Sequence, residues 1–201
     1  MEIEWKNRKR LRRGEKVLPP LYTAEDAAKS IEIFYPVQYD QLIEIDENIT
    51  NRPYQKEAVI TACEEIENHH RKLLIVQATG TGKTRVSISL VDVLLKHNYV
   101  KNILFLADRT ALVRQAMRNY VDLLPNLTCC NLTENKEDPQ QCRMIFSTYP
   151  TIMNAIDSNR LKDGRRLFTP GHFDLIILDE AHRSVYNKYQ DIFQYFDGML
   201  L

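Results

Sequence analysis

The sequence predicts an α/β domain, a parallel sheet flanked by helices on both faces, preceded by an N-terminal extension. Two observations carry this. Short aliphatic runs at 73–76, 102–107 and 175–178 have the length and β-branched content of buried strands. Segments of helical periodicity at 86–95 and 110–120 stand between them, and strand, helix, strand in that order requires a parallel pair with a right-handed crossover.

Composition sets the outer bounds. The chain has 201 residues, 44% hydrophobic and 27% charged, enough for one α/β unit plus an extension with ample core. Lys+Arg and Asp+Glu both number 27, so any polyanion-binding surface must come from local clustering rather than net charge. No apolar run approaches the roughly 18–20 residues of a membrane span, and the charged N-terminus is no signal peptide, so a cytoplasmic location without membrane contact is expected. The four cysteines, Cys63, Cys129, Cys130 and Cys142, form no C-x-x-C pair and read as thiols of a reducing compartment rather than a zinc site. His69 and His70 fall at a helix end, where they suit the C-terminal dipole.

Residues 1–48 read as a linker or extension. Positions 6–16 carry seven basic side chains, which suit a solvated tail or a DNA backbone. The E-x-K at Glu4–Lys6 lacks an upstream acid and carries no nuclease reading. A short helix capped by Thr23 is expected at 23–30, an acidic stretch follows at 40–47, and the domain boundary falls near Ile49.

The domain opens with Arg52-Pro53-Tyr54-Gln55, where Pro53 suits the first turn of a helix running to about Asn68. The strand at 73–76 then feeds a loop, Thr79-Gly80-Thr81-Gly82, and Lys83-Thr84 opens the next helix. Strand, glycine loop and helix is the context of a phosphate-binding loop: backbone N–H groups and the helix dipole face phosphate oxygens, Lys83 reaches the β- and γ-phosphates, and the Thr84 hydroxyl ligates Mg²⁺. Gln77 stands where the general pattern wants glycine.

A strand at 102–107 ends in Asp108-Arg109-Thr110 at the sheet edge where ligands sit. A polar, proline-punctuated stretch, 123–141, surrounds a short strand at 128–132. Another strand follows at 143–147, then a helix at 151–159 and a basic loop at 160–166. The aliphatic strand 175–178 terminates in Asp179-Glu180-Ala181-His182. Two acids at such a strand end supply what ATP hydrolysis needs: Asp179 for the metal, Glu180 to polarise the attacking water.

R-P-Y-Q, A-T-G-T-G-K-T, F-L-A-D-R-T, S-T-Y-P-T and D-E-A-H-R-S, in this order over residues 51–186, resemble the first RecA-like motor domain of superfamily-two helicases and translocases. The wording of F-L-A-D-R-T and D-E-A-H-R-S is closest to the motor (R) subunit of type I restriction enzymes. The resemblance implies adenine recognition by Gln55, with Arg52 beside it, through the bidentate amide logic used on adenine edges. It also implies phosphate contacts to one DNA strand from Arg109 and Gln115, a DNA contact from the Thr148 hydroxyl, and a coupling role for His182. A solvated loop arginine and a helix-capping threonine are the alternatives at positions 109 and 148.

The implied whole is a prokaryotic ATP- and Mg²⁺-dependent translocase of double-stranded DNA. It would work beside methylase and specificity subunits, with a nuclease module ahead of the motor. Residues 49–201 are then a first motor domain truncated at its C-terminus. No S-A-T motif, second motor domain or arginine finger follows the acid pair, and such a finger contributes roughly 10³–10⁵ in rate. The expectation is a fragment that binds nucleotide weakly and hydrolyses it slowly or not at all. Competing readings are a strand-separating DNA or RNA helicase and a non-catalytic DNA- or subunit-docking module.

Overall fold

The computed structural model describes residues 43–134, 138–157, 166–179 and 189–201. The expected helix at 23–30, the basic run at 6–16, Glu180 and His182 lie outside the described residues. Helix α1 spans Pro53–Glu67, with Pro53, which lacks an N–H, at its first position. It buries Val59, Ala62, Cys63 and Ile66, and the chain leaves it through His69 in the left-handed region, φ 63°. Helix α2, Lys83–Lys96, starts three residues before the apolar periodicity does, because Gly82 before it turns at φ 93°. Its apolar residues are buried from Val86 to Leu94, and Asp92 pairs with Lys96 at 2.7 Å on the last turns.

Strand β1, Ile103–Ala107, leads to helix α3, Thr110–Leu123, whose buried face is Val113, Ala116 and Tyr120. Strand β2, Cys129–Asn131, and strand β3, Met144–Thr148, follow, with a short 3-10 turn at Pro139–Gln141 between them. Helix α4 is Tyr149–Asp157, strand β4 is Leu175–Leu178, helix α5 is Gln190–Tyr195, and strand β5 is Met199–Leu200. The sheet order is β2-β3-β1-β4-β5, with every pair parallel.

A parallel sheet buried on both faces needs apolar residues at successive strand positions, and β1 provides them. Ile103, Phe105 and Ala107 join one core with the buried faces of α1, α2 and α3. Leu104 and Leu106 join a second core on the opposite face, with Ile152 of α4 and Ile192 of α5. The first core is keyed by Phe105, Tyr120 and Phe146, whose ring centroids lie 5.4–6.1 Å apart in tilted and edge-on contacts.

One expected strand is corrected. The 73–76 run is not a buried strand: its pairing to the sheet is a single parallel bridge, Lys72 with Leu200, closed by bonds from the Leu73 N–H to the Leu200 carbonyl and from the Leu200 N–H to the Arg71 carbonyl. Leu73 and Ile75 are half-buried, while Leu74 and Val76 are 79% and 83% exposed. The backbone is extended and the side chains alternate, but the neighbouring strand is only two residues long and just one face meets the core. Helix α5 and strand β5 are additions to the expected elements. Strand β5 lies between β4 and the 72–73 segment, so two interstrand steps, roughly 10 Å, separate the run leading into the phosphate loop from β4.

Candidate active site

The phosphate loop is shaped by two glycines in the left-handed region, Gly80 at φ 79° and Gly82 at φ 93°. Between them Thr81 closes a tight turn, its hydroxyl donating to the Ala78 carbonyl at 2.6 Å. A Cβ on Gly80 would meet nothing within 4 Å, so the loop opens onto free space there, whereas Gly82 is backed by the side chain of Gln55. Lys83 and Thr84, both half-buried, form the first turn of α2.

On the other side of the site the chain leaves β4 at Asp179. Its N–H donates to the Leu106 carbonyl at 2.9 Å, and Leu178 donates to the Leu201 carbonyl at 2.8 Å. Asp179 is thus seated at the carboxyl edge of the sheet, between the ends of β1 and β5. Strand order reverses at this point, which is where open α/β sheets hold ligands. A cavity of about 730 Å³ is lined by Gln77, Thr79, Lys83, Thr84 and Asp179 together with apolar walls such as Phe105 and Ile177. Two stretches far apart in sequence therefore face one space. Among the described residues the Gln77 Oε1 is buried without a hydrogen-bond partner.

The donor set fits a nucleotide triphosphate with a hard divalent cation. A threonine hydroxyl and one carboxylate are oxygen ligands of the kind Mg²⁺ takes when phosphate oxygens and water complete its shell. Among the described residues no group of three His, Cys, Asp or Glu could hold a metal. Burial pushes the Cys63 thiol up to about 12, reinforced by Glu67 and Glu64, which keeps it protonated and a poor ligand. Near Asp179, on the other face of the sheet from Cys63, burial holds the Tyr149 hydroxyl above its usual range, and the carboxylates of Asp179 and Asp108 add to the effect.

The remaining candidates are placed as follows. Gln55 is 3% exposed; its Nε2 donates to the Thr81 carbonyl at 2.8 Å and its Oε1 accepts from the Thr50 hydroxyl at 2.5 Å. One N–H and one lone pair of that amide are left for other partners. Arg52 is exposed and donates to the Tyr54 hydroxyl at 2.9 Å, and Tyr54 in turn donates to the same Thr81 carbonyl at 2.9 Å. Arg109 and Gln115 are exposed at the start of α3, Arg109 beside Asp108 at 3.4 Å. Thr148, 7% exposed, shares a hydrogen bond with the Thr151 hydroxyl at 2.8 Å in the first turn of α4. Sequence reasoning did not single out Thr50, or Arg85, which donates to the Asn48 and Ile49 carbonyls. Spacing carries no signal for either, since both act through contacts between segments. No helix among the described residues is long and apolar enough to cross a membrane.

Comparison with known proteins agrees with this fold. The chain is 32% identical over 150 residues to the endonuclease subunit of the type I restriction enzyme EcoAI of Escherichia coli, a match covering 73% of the chain and 18% of that relative. A nuclease-deletion mutant of the type ISP restriction-modification enzyme LlaGI, solved with a DNA substrate mimic, superposes with a TM-score of 0.53 at 25% identity, over 74% of this chain and 17% of that one. The SWI2/SNF2 ATPase core of Sulfolobus solfataricus, solved with double-stranded DNA, shares the fold at 18% identity and a TM-score of 0.56, over 82% of this chain and 33% of that one. The chain therefore spans under a fifth of the length of these two restriction-enzyme relatives. Residues 48–201 match the family described as type III restriction enzyme, res subunit, and the chain is a member of that family.

Proposed function

We propose that this chain supplies the ATP-binding half of an ATP-dependent DNA translocase, as part of the restriction subunit of a type I restriction-modification enzyme. The observation that carries the reading is the shared cavity: Lys83, Thr84 and Asp179 line one space at the carboxyl edge of the sheet. Lys83 binds the β- and γ-phosphates, and the N–H groups of the loop and of the first turn of α2 receive phosphate oxygens. Thr84 and Asp179 would hold Mg²⁺, and Glu180 would take the proton-accepting role toward the attacking water. When bound, the metal neutralises the charge that develops as the γ-phosphoryl group is transferred. Gln55, bonded to the Thr81 carbonyl, and Arg52, bonded to the Tyr54 hydroxyl, are the proposed readers of the adenine.

DNA is the proposed track. The LlaGI relative was solved with a DNA substrate mimic. Here Arg109 presents an exposed donor just beyond the end of β1 and Gln115 an exposed amide more than one turn into α3, with Thr148 as a third candidate. Methylase and specificity subunits are the proposed companions in a cytoplasmic prokaryotic complex. Titration with Mg²⁺-ATP tests the reading: Lys83→Ala abolishes binding if Lys83 holds the phosphates, and an unchanged affinity rejects the assignment.

A further inference from the structure

The Thr81 carbonyl, in the middle of the phosphate loop, accepts two hydrogen bonds from outside the loop: from the Tyr54 hydroxyl at 2.9 Å and from Gln55 Nε2 at 2.8 Å. In a trans peptide the C=O and the N–H of the next residue point in opposite directions, and the chain contains no cis bond among the described residues. Holding the Thr81 carbonyl toward Tyr54 and Gln55 of α1 therefore turns the Gly82 N–H away from α1. Gly82 sits at φ 93°, and glycine takes either sign of φ with similar ease, so the peptide before it is the one most free to turn over. A turned peptide would present a carbonyl oxygen to the phosphates in place of a donor.

Both outside donors are themselves oriented. Arginine can only donate, so the 2.9 Å contact from Arg52 Nη1 to the Tyr54 hydroxyl occupies that oxygen as an acceptor and directs its proton to Thr81. The Thr50 hydroxyl donates to Gln55 Oε1 at 2.5 Å, with Thr50 1% and Gln55 3% exposed. The Thr81 carbonyl, which only accepts, selects Nε2 over Oε1, and the Thr50 hydroxyl, donating to Oε1, anchors the side chain in that position. Arg85, in the first turn of α2, ties the start of this segment to the loop helix through the Asn48 and Ile49 carbonyls, at 3.1 and 2.8 Å.

We propose that Tyr54 and Thr50 are positioning residues for the phosphate loop: Tyr54 directly, and Thr50 through Gln55, fix the Thr81–Gly82 peptide with its N–H toward the triphosphate. The inference rests on the nucleotide reading above and deepens it, since it makes the brace act on the phosphates rather than on the base. Calorimetric titration of the 201-residue chain with Mg²⁺-ATP and with Mg²⁺-tripolyphosphate, which has no base, separates the two. Tyr54→Phe and Thr50→Val are expected to weaken both ligands by the same factor, about tenfold. Thr50→Ser, which keeps the hydroxyl, is expected to bind as the parent does.

Residue 54 is exposed, so Tyr54→Phe preserves the fold and carries the test even if Thr50→Val does not fold. The ¹⁵N–¹H resonance of Gly82 provides a direct signature: it shifts on tripolyphosphate binding in the parent and loses that shift in Tyr54→Phe. Unchanged affinities in Tyr54→Phe and Thr50→Val, or a loss confined to ATP, overturn the inference while leaving the nucleotide reading intact. A parent chain that binds neither ligand removes both.

Discussion

The side-chain amide of Gln55 rests against Gly82, with Nε2 2.5 Å from where a Cβ on residue 82 would stand. Gly80, two residues earlier, has the same left-handed backbone but open space around its Cβ position. The pair separates backbone strain from displacement of the brace. Both Gly80→Ala and Gly82→Ala are expected to lose roughly 1–2 kcal/mol through the positive φ, measured by urea unfolding. Gly82→Ala alone also forces Gln55 away from Thr81, so its phosphate affinity falls well below that of Gly80→Ala.

The aromatic trio predicts where the fold is most sensitive. Phe146 is fully buried, with its ring 5.4 Å from both Phe105 and Tyr120. Phe146→Ala is expected to cost about 3–5 kcal/mol, by lost burial and an incompletely collapsed cavity. Leu74→Gln, at a position 79% exposed, is expected to stay within about 0.5 kcal/mol of the parent chain. Chemical denaturation of the two variants checks the contrast.

Stability is also expected to fall in mild acid. The imidazole of His172 packs against Phe168 and Phe173, with ring centroids 5.1 and 4.7 Å away, and burial holds its pKa below the usual value against the smaller opposing pull of Asp174. The unfolded chain therefore takes up this proton first as pH falls. The contribution is complete above the unfolded value of about 6.5 and is lost as pH drops through the lower folded value. Thermal unfolding from about pH 7.5 to about pH 5 should show a shallower decline for His172→Gln than for the parent.

Four of the five strands and several residues that line the cavity were legible because their signals are local. Leu175–Leu178 is apolar on both faces and ends in an acid, and that run alone fixed both a central strand and the position of Asp179. Gly80, Gly82, Lys83 and Thr84 announced the loop in the same way. The run at 73–76 misled because aliphatic content reports that a segment can be buried, not how many neighbours it finds, and here the pairing is one bridge. Residues 190–200 form a six-residue helix and a two-residue strand, too short for periodicity to show. The bond from Thr50 to Gln55 was beyond sequence reasoning, since which oxygen a buried amide turns to which neighbour depends on packing between segments.

The central claim is that the phosphate loop and Asp179 serve one metal-bound nucleotide, and the Mg²⁺ dependence of ATP binding in Asp179→Asn tests it most directly. In the parent chain Mg²⁺ should tighten ATP binding. In Asp179→Asn that gain should vanish while metal-free ATP binding stays level or improves, because a negative charge facing the phosphates has been removed. An Asp179→Asn chain that keeps the full Mg²⁺-dependent gain would contradict the account, since the metal would then be held without the carboxylate that ends β4.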